Sequence, residues 1–234
     1  MWMSKRISLI CCVWSFVMPL PAQTVTKTAQ ISGTVVDEKS KPVAFAYVSI
    51  TRSPFNPKDG AASLGITTGA DGKFQFSGLM AATYGVCVYT APTRGFLDTC
   101  EWDRQQNIAL VSAQAVSGLT LRVEDAGTVE FEVDDPKALK PDETKSGSVR
   151  VVLGLHSANG AHTARYLRTA KGKHTYVLNV PFGKQVQLRF EAEGLDVKDD
   201  KGAKLVAGQG ALHAPFVMNR GQAKKQFLLA FDQP

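Results

Sequence analysis

From Ile31 onward, apolar and polar positions alternate along the chain with a period of two. Ile31, Gly33 and Val35 alternate with Ser32 and Thr34 until a cluster of Asp37, Glu38, Lys39 and Ser40 turns the chain. A β-branched and aromatic run over residues 43–50 (VAFAYVSI) follows, then a loop with Pro and Gly over 53–63, then 65–68 (GITT). Such runs bounded by Gly, Pro and Asp clusters predict strands. Gly69, Ala70, Asp71 and Gly72 predict a hairpin turn with Gly72 at positive φ. Beyond it, Lys73 to Phe76 alternates so that Phe74 and Phe76 share one face. Further strands are predicted over 83–90, 107–111 and 117–123. No stretch of ten or more residues carries the spacing of an amphipathic helix.

A second set of strands is predicted over 127–133, 149–155, 163–168, 175–180, 185–191, 204–206, 216–217 and 226–231. Asn159-Gly160, Lys171 to Lys173 and Pro181 to Gly183 supply turns. Residues 134–148 (DDPKALKPDETKSGS) are charged and hold two prolines. They read as a linker or as a long loop inside a second domain; the strand at 127–133 favours the loop and a boundary at 125–126. One-sided alternation needs a second sheet to cover each apolar face, so the prediction is all-β, with two tandem β-sandwich domains over 23–125 and 126–234.

Residues 1–22 read as an address rather than as structure. Lys5 and Arg6 precede a 14-residue apolar run, 7–20 (ISLICCVWSFVMPL), and Pro19, Pro21 and Ala22 place a cleavage point before Gln23. This predicts a cleaved signal peptide, with an uncleaved anchor as the alternative. A lipoprotein signal at Cys11 or Cys12 lacks the small residues such a site wants. The mature chain is expected to have no transmembrane segment and to be secreted, periplasmic or on the cell surface.

Removing that segment changes the inventory. The chain of 234 residues is 44% hydrophobic and 21% charged, which excludes intrinsic disorder. Loss of Lys5 and Arg6 leaves 25 basic against 21 acidic residues, and Trp102 becomes the one remaining tryptophan. The basic residues are interspersed with acids and lack aromatic interleaving, so no nucleic-acid partner is expected. Cys87 and Cys100 are the surviving cysteines, an even count in an oxidising compartment, which predicts a disulfide; separate reduced thiols are the alternative.

Candidate chemistry is sparse. His156, His162, His174 and His213 form no metal-binding grip, and His156 and His162, flanking Asn159-Gly160, read as exposed turn histidines. Asp199, Asp200, Lys201 and Gly202 lack the alternating acids of a calcium loop and read as a polar turn. There is no nucleophile elbow, Asp134 and Asp135 sit in a charged loop, and Gly208, Gln209 and Gly210 precede no helix. No metal, no cofactor and no catalytic residue is predicted, and the chain is expected not to be an enzyme.

Over residues 31–123 the chain resembles the carboxypeptidase regulatory-like domain, a transthyretin-like β-sandwich of Greek-key style. The likeness rests on Ile31 to Asp37 (ISGTVVD), Lys41-Pro42-Val43, Ala46, Val48 and Ile50. It continues through Thr67-Thr68, Asp71-Gly72, Phe74, Phe76, Gly78-Leu79 and Thr83-Tyr84. Ala81-Ala82 replaces the family's usual Pro-Gly, and Gly69 stands where an acid is common. The resemblance implies a non-catalytic accessory module, hence an exported structural or interaction protein with an envelope or extracellular protein partner. The rival is a carbohydrate-binding module for a polysaccharide, with Trp102, Tyr89 and Phe96 as candidate ligand-binding residues and Tyr47 beside them. Residues 127–234 resemble nothing specific.

Overall fold

The structure, a computed structural model, describes residues 29–54, 62–135, 137, 151–192, 195–205, 214–222 and 224–232. The segment read as a signal peptide, most of residues 134–148, Gly208 to Gly210 and His213 lie outside the described residues.

Two pairs of sheets enclose two apolar cores. The first half contributes β1 (Ala29–Val36), β2 (Tyr47–Ser53), β3 (Ser63–Thr67), β4 (Lys73–Leu79), β5 (Ala82–Tyr89), β6 (Gln106–Leu110) and β7 (Ala115–Arg122). They form a sheet of order β4-β1-β7 and a sheet of order β3-β2-β5-β6. Between them pack Ile31, Val35, Val48, Ile50, Phe74, Phe76, Val86, Val88 and Leu121, the inward set of the alternation. Phe74 and Phe76 are both buried, as their spacing predicts.

The second half contributes β8 (Ala126–Asp134), β9 (Val151–Ser157), β10 (Gly160–Thr163), β11 (Arg165–Ala170), β12 (Lys173–Pro181) and β13 (Gln185–Ala192). It ends with β14 (Asp196–Asp199), β15 (Lys204–Leu205), β16 (Phe216–Val217) and β17 (Lys224–Asp232). A sheet of order β10-β9-β13-β16 faces one of order β11-β12-β8-β17-β14-β15. Val129, Phe131, Leu153, Leu155, Leu178, Leu188 and Phe190 fill the space between. The chain is all-β and passes from one pair of sheets to the other between β7 and β8. No described helix is long and apolar enough to cross a membrane.

Two departures from the alternation have local causes. The run at 43–50 is not one strand: Phe45 takes φ +54° and β2 starts only at Tyr47. The buried Thr68 hydroxyl holds this kink, accepting from the Ala46 amide at 2.9 Å and donating to the Val43 carbonyl at 3.0 Å. In the second half, β10 and β14 are short strands whose polar residues hide them from a hydrophobic pattern.

Two glycines are fixed by close approach of a neighbouring backbone. A Cβ at Gly33 would stand 2.2 Å from the Leu119 carbonyl oxygen, and one at Gly154 would stand 2.0 Å from the His162 carbonyl oxygen. Neither neighbour is a flexible side-chain end, so relief requires strands to separate. Gly33→Ala and Gly154→Ala should each lower unfolding free energy by about 1–3 kcal/mol. Denaturant melts followed by circular dichroism check this; unchanged midpoints would contradict the close approach.

Candidate functional site

Of the residues singled out in the sequence, Phe96, Cys100 and Trp102 lie on the segment between β5 and β6, which leaves the first sandwich and enters the second. Pro92–Arg94 makes one 3-10 turn ending at Gly95 in the left-handed region, φ 68°. The Leu97 amide bonds the Glu124 carbonyl at 2.8 Å and the Ala126 amide bonds the Gly95 carbonyl at 2.7 Å, so this segment runs beside the β7–β8 crossover. Cys87 and Cys100 form a disulfide with their Cα atoms 5.3 Å apart, and it pins the segment to β5. Thr99 adds a second tie, its hydroxyl accepting from the Val88 amide at 2.8 Å. Asp98 caps the following turn, accepting from the amides of Cys100 and Glu101.

Trp102 sits at the tip of this turn. It is only 3% exposed and belongs to the apolar core of the second sandwich, together with Leu97. Its indole Nε1 donates to the Asn179 carbonyl at 2.8 Å. One ring face stacks on His162 with centroids 3.6 Å apart. The assignment of Trp102 to an exposed sugar-binding face is therefore corrected: the apolar indole gains more from a closed pocket with one acceptor than from solvent. Asn179 completes the joint, its Nδ2 donating to the Phe96 carbonyl at 2.8 Å and its Oδ1 accepting from Thr128 at 3.0 Å. Phe96 is half-buried against the first core and is likewise part of the junction.

His162 is also corrected, from an exposed turn residue to a buried one at 3% exposure. Its Nδ1 donates to the Glu101 carbonyl at 2.8 Å, which leaves Nε2 to accept from the Ser157 hydroxyl at 2.8 Å. This pattern specifies the neutral ring. Burial, the largest influence, pushes its pKa below the ordinary histidine value, while the Glu101 carbonyl acts the other way. Beside it the Glu101 carboxylate accepts from the Thr163 amide at 2.8 Å. Arg165 pairs with Asp98 across the junction; burial outweighs this attraction and raises the Asp98 carboxyl above its usual range. On the other side of the crossover, Arg220 meets Glu38 at 3.3 Å and holds the Glu38 pKa down.

Tyr89 lies apart from Trp102, on the outer face of the first sandwich. It is paired in register with Tyr47, ring centroids 6.1 Å apart, and carries the Arg165 guanidinium 4.8 Å above its ring. Tyr47 is 46% exposed and Phe45, next to it in the turn, is 70% exposed. Sequence reasoning left Phe45 and Arg165 out: Phe45 looked like a strand residue, and Arg165 reaches Tyr89 only through the fold.

A polar chain on β11 and β12 was also hidden. Asp135, buried, accepts from His174 Nε2 at 3.0 Å; His174 Nδ1 lies 2.6 Å from the Thr169 hydroxyl, itself 2.7 Å from the Tyr166 hydroxyl. The order of acid, imidazole and hydroxyl is that of a nucleophile triad. Here Thr169 is held from both sides on an exposed hairpin, so the chain closes the hairpin. Among the described residues no group of three or more His, Cys, Asp or Glu is placed to hold a metal ion.

Trp102→Ala should cost about 3–5 kcal/mol, because it empties a pocket in the second core and orphans an acceptor. His162 gives the joint a pH dependence. Its depressed pKa means the unfolded chain binds the extra proton first, so stability is full above about pH 6.5 and falls as pH drops below it. The raised Asp98 pKa acts in the opposite sense, at lower pH. Denaturant midpoints should fall between about pH 7.5 and 5.5, and His162→Gln should flatten that slope. A slope that His162→Gln leaves intact would contradict this.

No curated protein matches the sequence. Among solved structures, the chain is similar to the Bacillus anthracis TIE protein, at 14% identity over 88% of this chain and 34% of that one, TM-score 0.34. It is similar to a streptococcal ancillary pilin at 13% identity over 88% and 63%, TM-score 0.39. A shaft pilin, SpaA from Lactobacillus rhamnosus GG, matches at 10% identity over 88% and 99%, TM-score 0.31. The chain thus spans less than two thirds of the first two proteins, and likenesses this distant say nothing about activity or partners. The family match is local: residues 30–97, from β1 into the junction segment, match the family model of the carboxypeptidase regulatory-like domain.

Proposed function

We propose that this protein is an exported, non-enzymatic structural and interaction module of the cell envelope or extracellular space. The observation that carries the reading is the joint itself: a disulfide-pinned turn drives Trp102 into the neighbouring sandwich. Domains joined by a short crossover move relative to each other unless an apolar interface fixes them. A disulfide in that position persists only in an oxidising compartment, which agrees with the basic and apolar N-terminal segment. The edge strands β3 and β11 are exposed along their whole length and offer backbone groups for strand addition by a protein partner.

A second reading, polysaccharide binding, is favoured by one observation. Phe45 and Tyr47 stand exposed on the outer face beside Tyr89. Aromatic faces flanked by hydroxyls suit sugar rings.

The principal reading is tested in the source cell by fractionation and thiol trapping. The chain should appear outside the cytoplasm, cleaved before Gln23, with Cys87 and Cys100 protected from alkylation until reduced. Cytoplasmic retention with two free thiols would contradict it. Cys87→Ser with Cys100→Ser should lower stability by about 3 kcal/mol, from the loop closed over 13 positions. It should also expose the segment at 95–105 to proteolysis.

A further inference from the structure

The outer face of β2 and β5 carries a built feature that the joint does not use. Phe45 is kept in the left-handed region, φ 54°, where an aromatic residue is an outlier, and the result is a phenyl ring standing in solvent. The kink is over-determined: Thr68 holds Val43 and Ala46 from inside, and Arg94 donates to the Ala44 carbonyl from outside. Strain maintained from both sides to expose an apolar ring has no use in packing.

Tyr47 continues the strip. A Cβ at Gly65 would fall 1.8 Å from the Tyr47 hydroxyl and 2.2 Å from its Cζ. The ring therefore lies on the bare backbone of the edge strand, where any larger residue would displace it. Tyr89 stands beside it in register, roofed by Arg165 from the second sandwich. Ser49, Thr51, Ser63 and Thr90 line the same depression, and the Thr51 and Ser63 hydroxyls bond each other at 2.9 Å. Rings in the middle and hydroxyls along the flank match a ligand with apolar faces and hydroxyl edges.

The charge at this face has one sign. Arg165 projects over Tyr89, and its partner Asp98 is largely buried beneath it, 14% exposed against 46% for Arg165. Arg94 is engaged elsewhere, donating to the Ala44 carbonyl behind Phe45 and lying 5.6 Å from the centroid of the Phe96 ring. We propose that Phe45 and Tyr47, with Arg165 at their rim over Tyr89, form a binding platform for a carboxylate-bearing polysaccharide. Its sugar rings stack on the exposed Phe45 and Tyr47 faces and its carboxylates meet the Arg165 guanidinium. The proposal gives a place and a ligand class to the second reading above and leaves the principal reading untouched. Because Tyr89 and Arg165 come from different sandwiches, the platform is complete only when the joint is closed.

The test is affinity electrophoresis of the full chain through gels holding polygalacturonate or alginate, with dextran as the neutral control. Retardation by a polyuronate and not by dextran, falling as salt rises, is expected. Phe45→Gly is the decisive variant. Glycine is at ease at that φ, so the variant should keep or raise the denaturation midpoint while binding weakens roughly tenfold. Tyr47→Ala should weaken binding similarly. No retardation by either polyuronate, equal retardation by dextran, or unchanged retardation of Phe45→Gly would overturn the proposal. The export result is independent of all three outcomes.

Discussion

The insertion of Trp102 into the second sandwich governs how the two halves of this protein relate. An indole is largely apolar but has one donor, so it is stable only where a closed pocket also supplies an acceptor. The second sandwich provides both, with His162 against the ring face and the Asn179 carbonyl at Nε1. Neither group would be satisfied without its partner: His162 depends on the Glu101 carbonyl, and the Asn179 side chain on the Phe96 carbonyl. The joint therefore exchanges hydrogen bonds in both directions, and removing either side leaves buried polar atoms without partners.

The rest of the junction serves to present that indole. The segment from Gly95 to Gln105 has no ladder of its own and would be costly to order. The disulfide and the Thr99 bonds to β5 restrict it from the side of the first sandwich, while Asp98 organises the turn from within. Arg165, Asp98, Arg220 and Glu38 form charged straps at the margin of the apolar contact. Exposed pairs contribute modestly to stability; their effect is to select one orientation. That orientation places Arg165 over Tyr89, so the outer platform depends on the same joint.

Much of the fold was legible in the sequence because burial in a sandwich is written directly as alternation. The inward sets of β1, β4, β8 and β13 are such cases, and Gly72 marked a turn at positive φ, although that turn carries the chain from one sheet to the other rather than closing a hairpin. The disulfide followed from reading the N-terminal segment as an export signal and from an even count of the cysteines beyond it. What could not be read depends on distant partners. Residues 43–50 have the composition of one strand, and it takes the Thr68 hydroxyl, two strands away, and Arg94, from beyond β5, to turn Phe45 outward. Trp102 read as a candidate sugar-binding residue because nothing near it in sequence announces its pocket, whose acceptor carbonyl lies 77 positions further on. His162 looked like a turn histidine because nothing nearby in sequence announces the Glu101 carbonyl 61 positions earlier.

Residual dipolar couplings measured separately for the two halves test the central claim most directly, since they report whether both bodies share one orientation. If Trp102 locks them, a single alignment tensor will fit both sets of amides, and Trp102→Ala will split it into two. Two distinct tensors in the unaltered chain would show that the sandwiches move independently, and the account of the joint would fail.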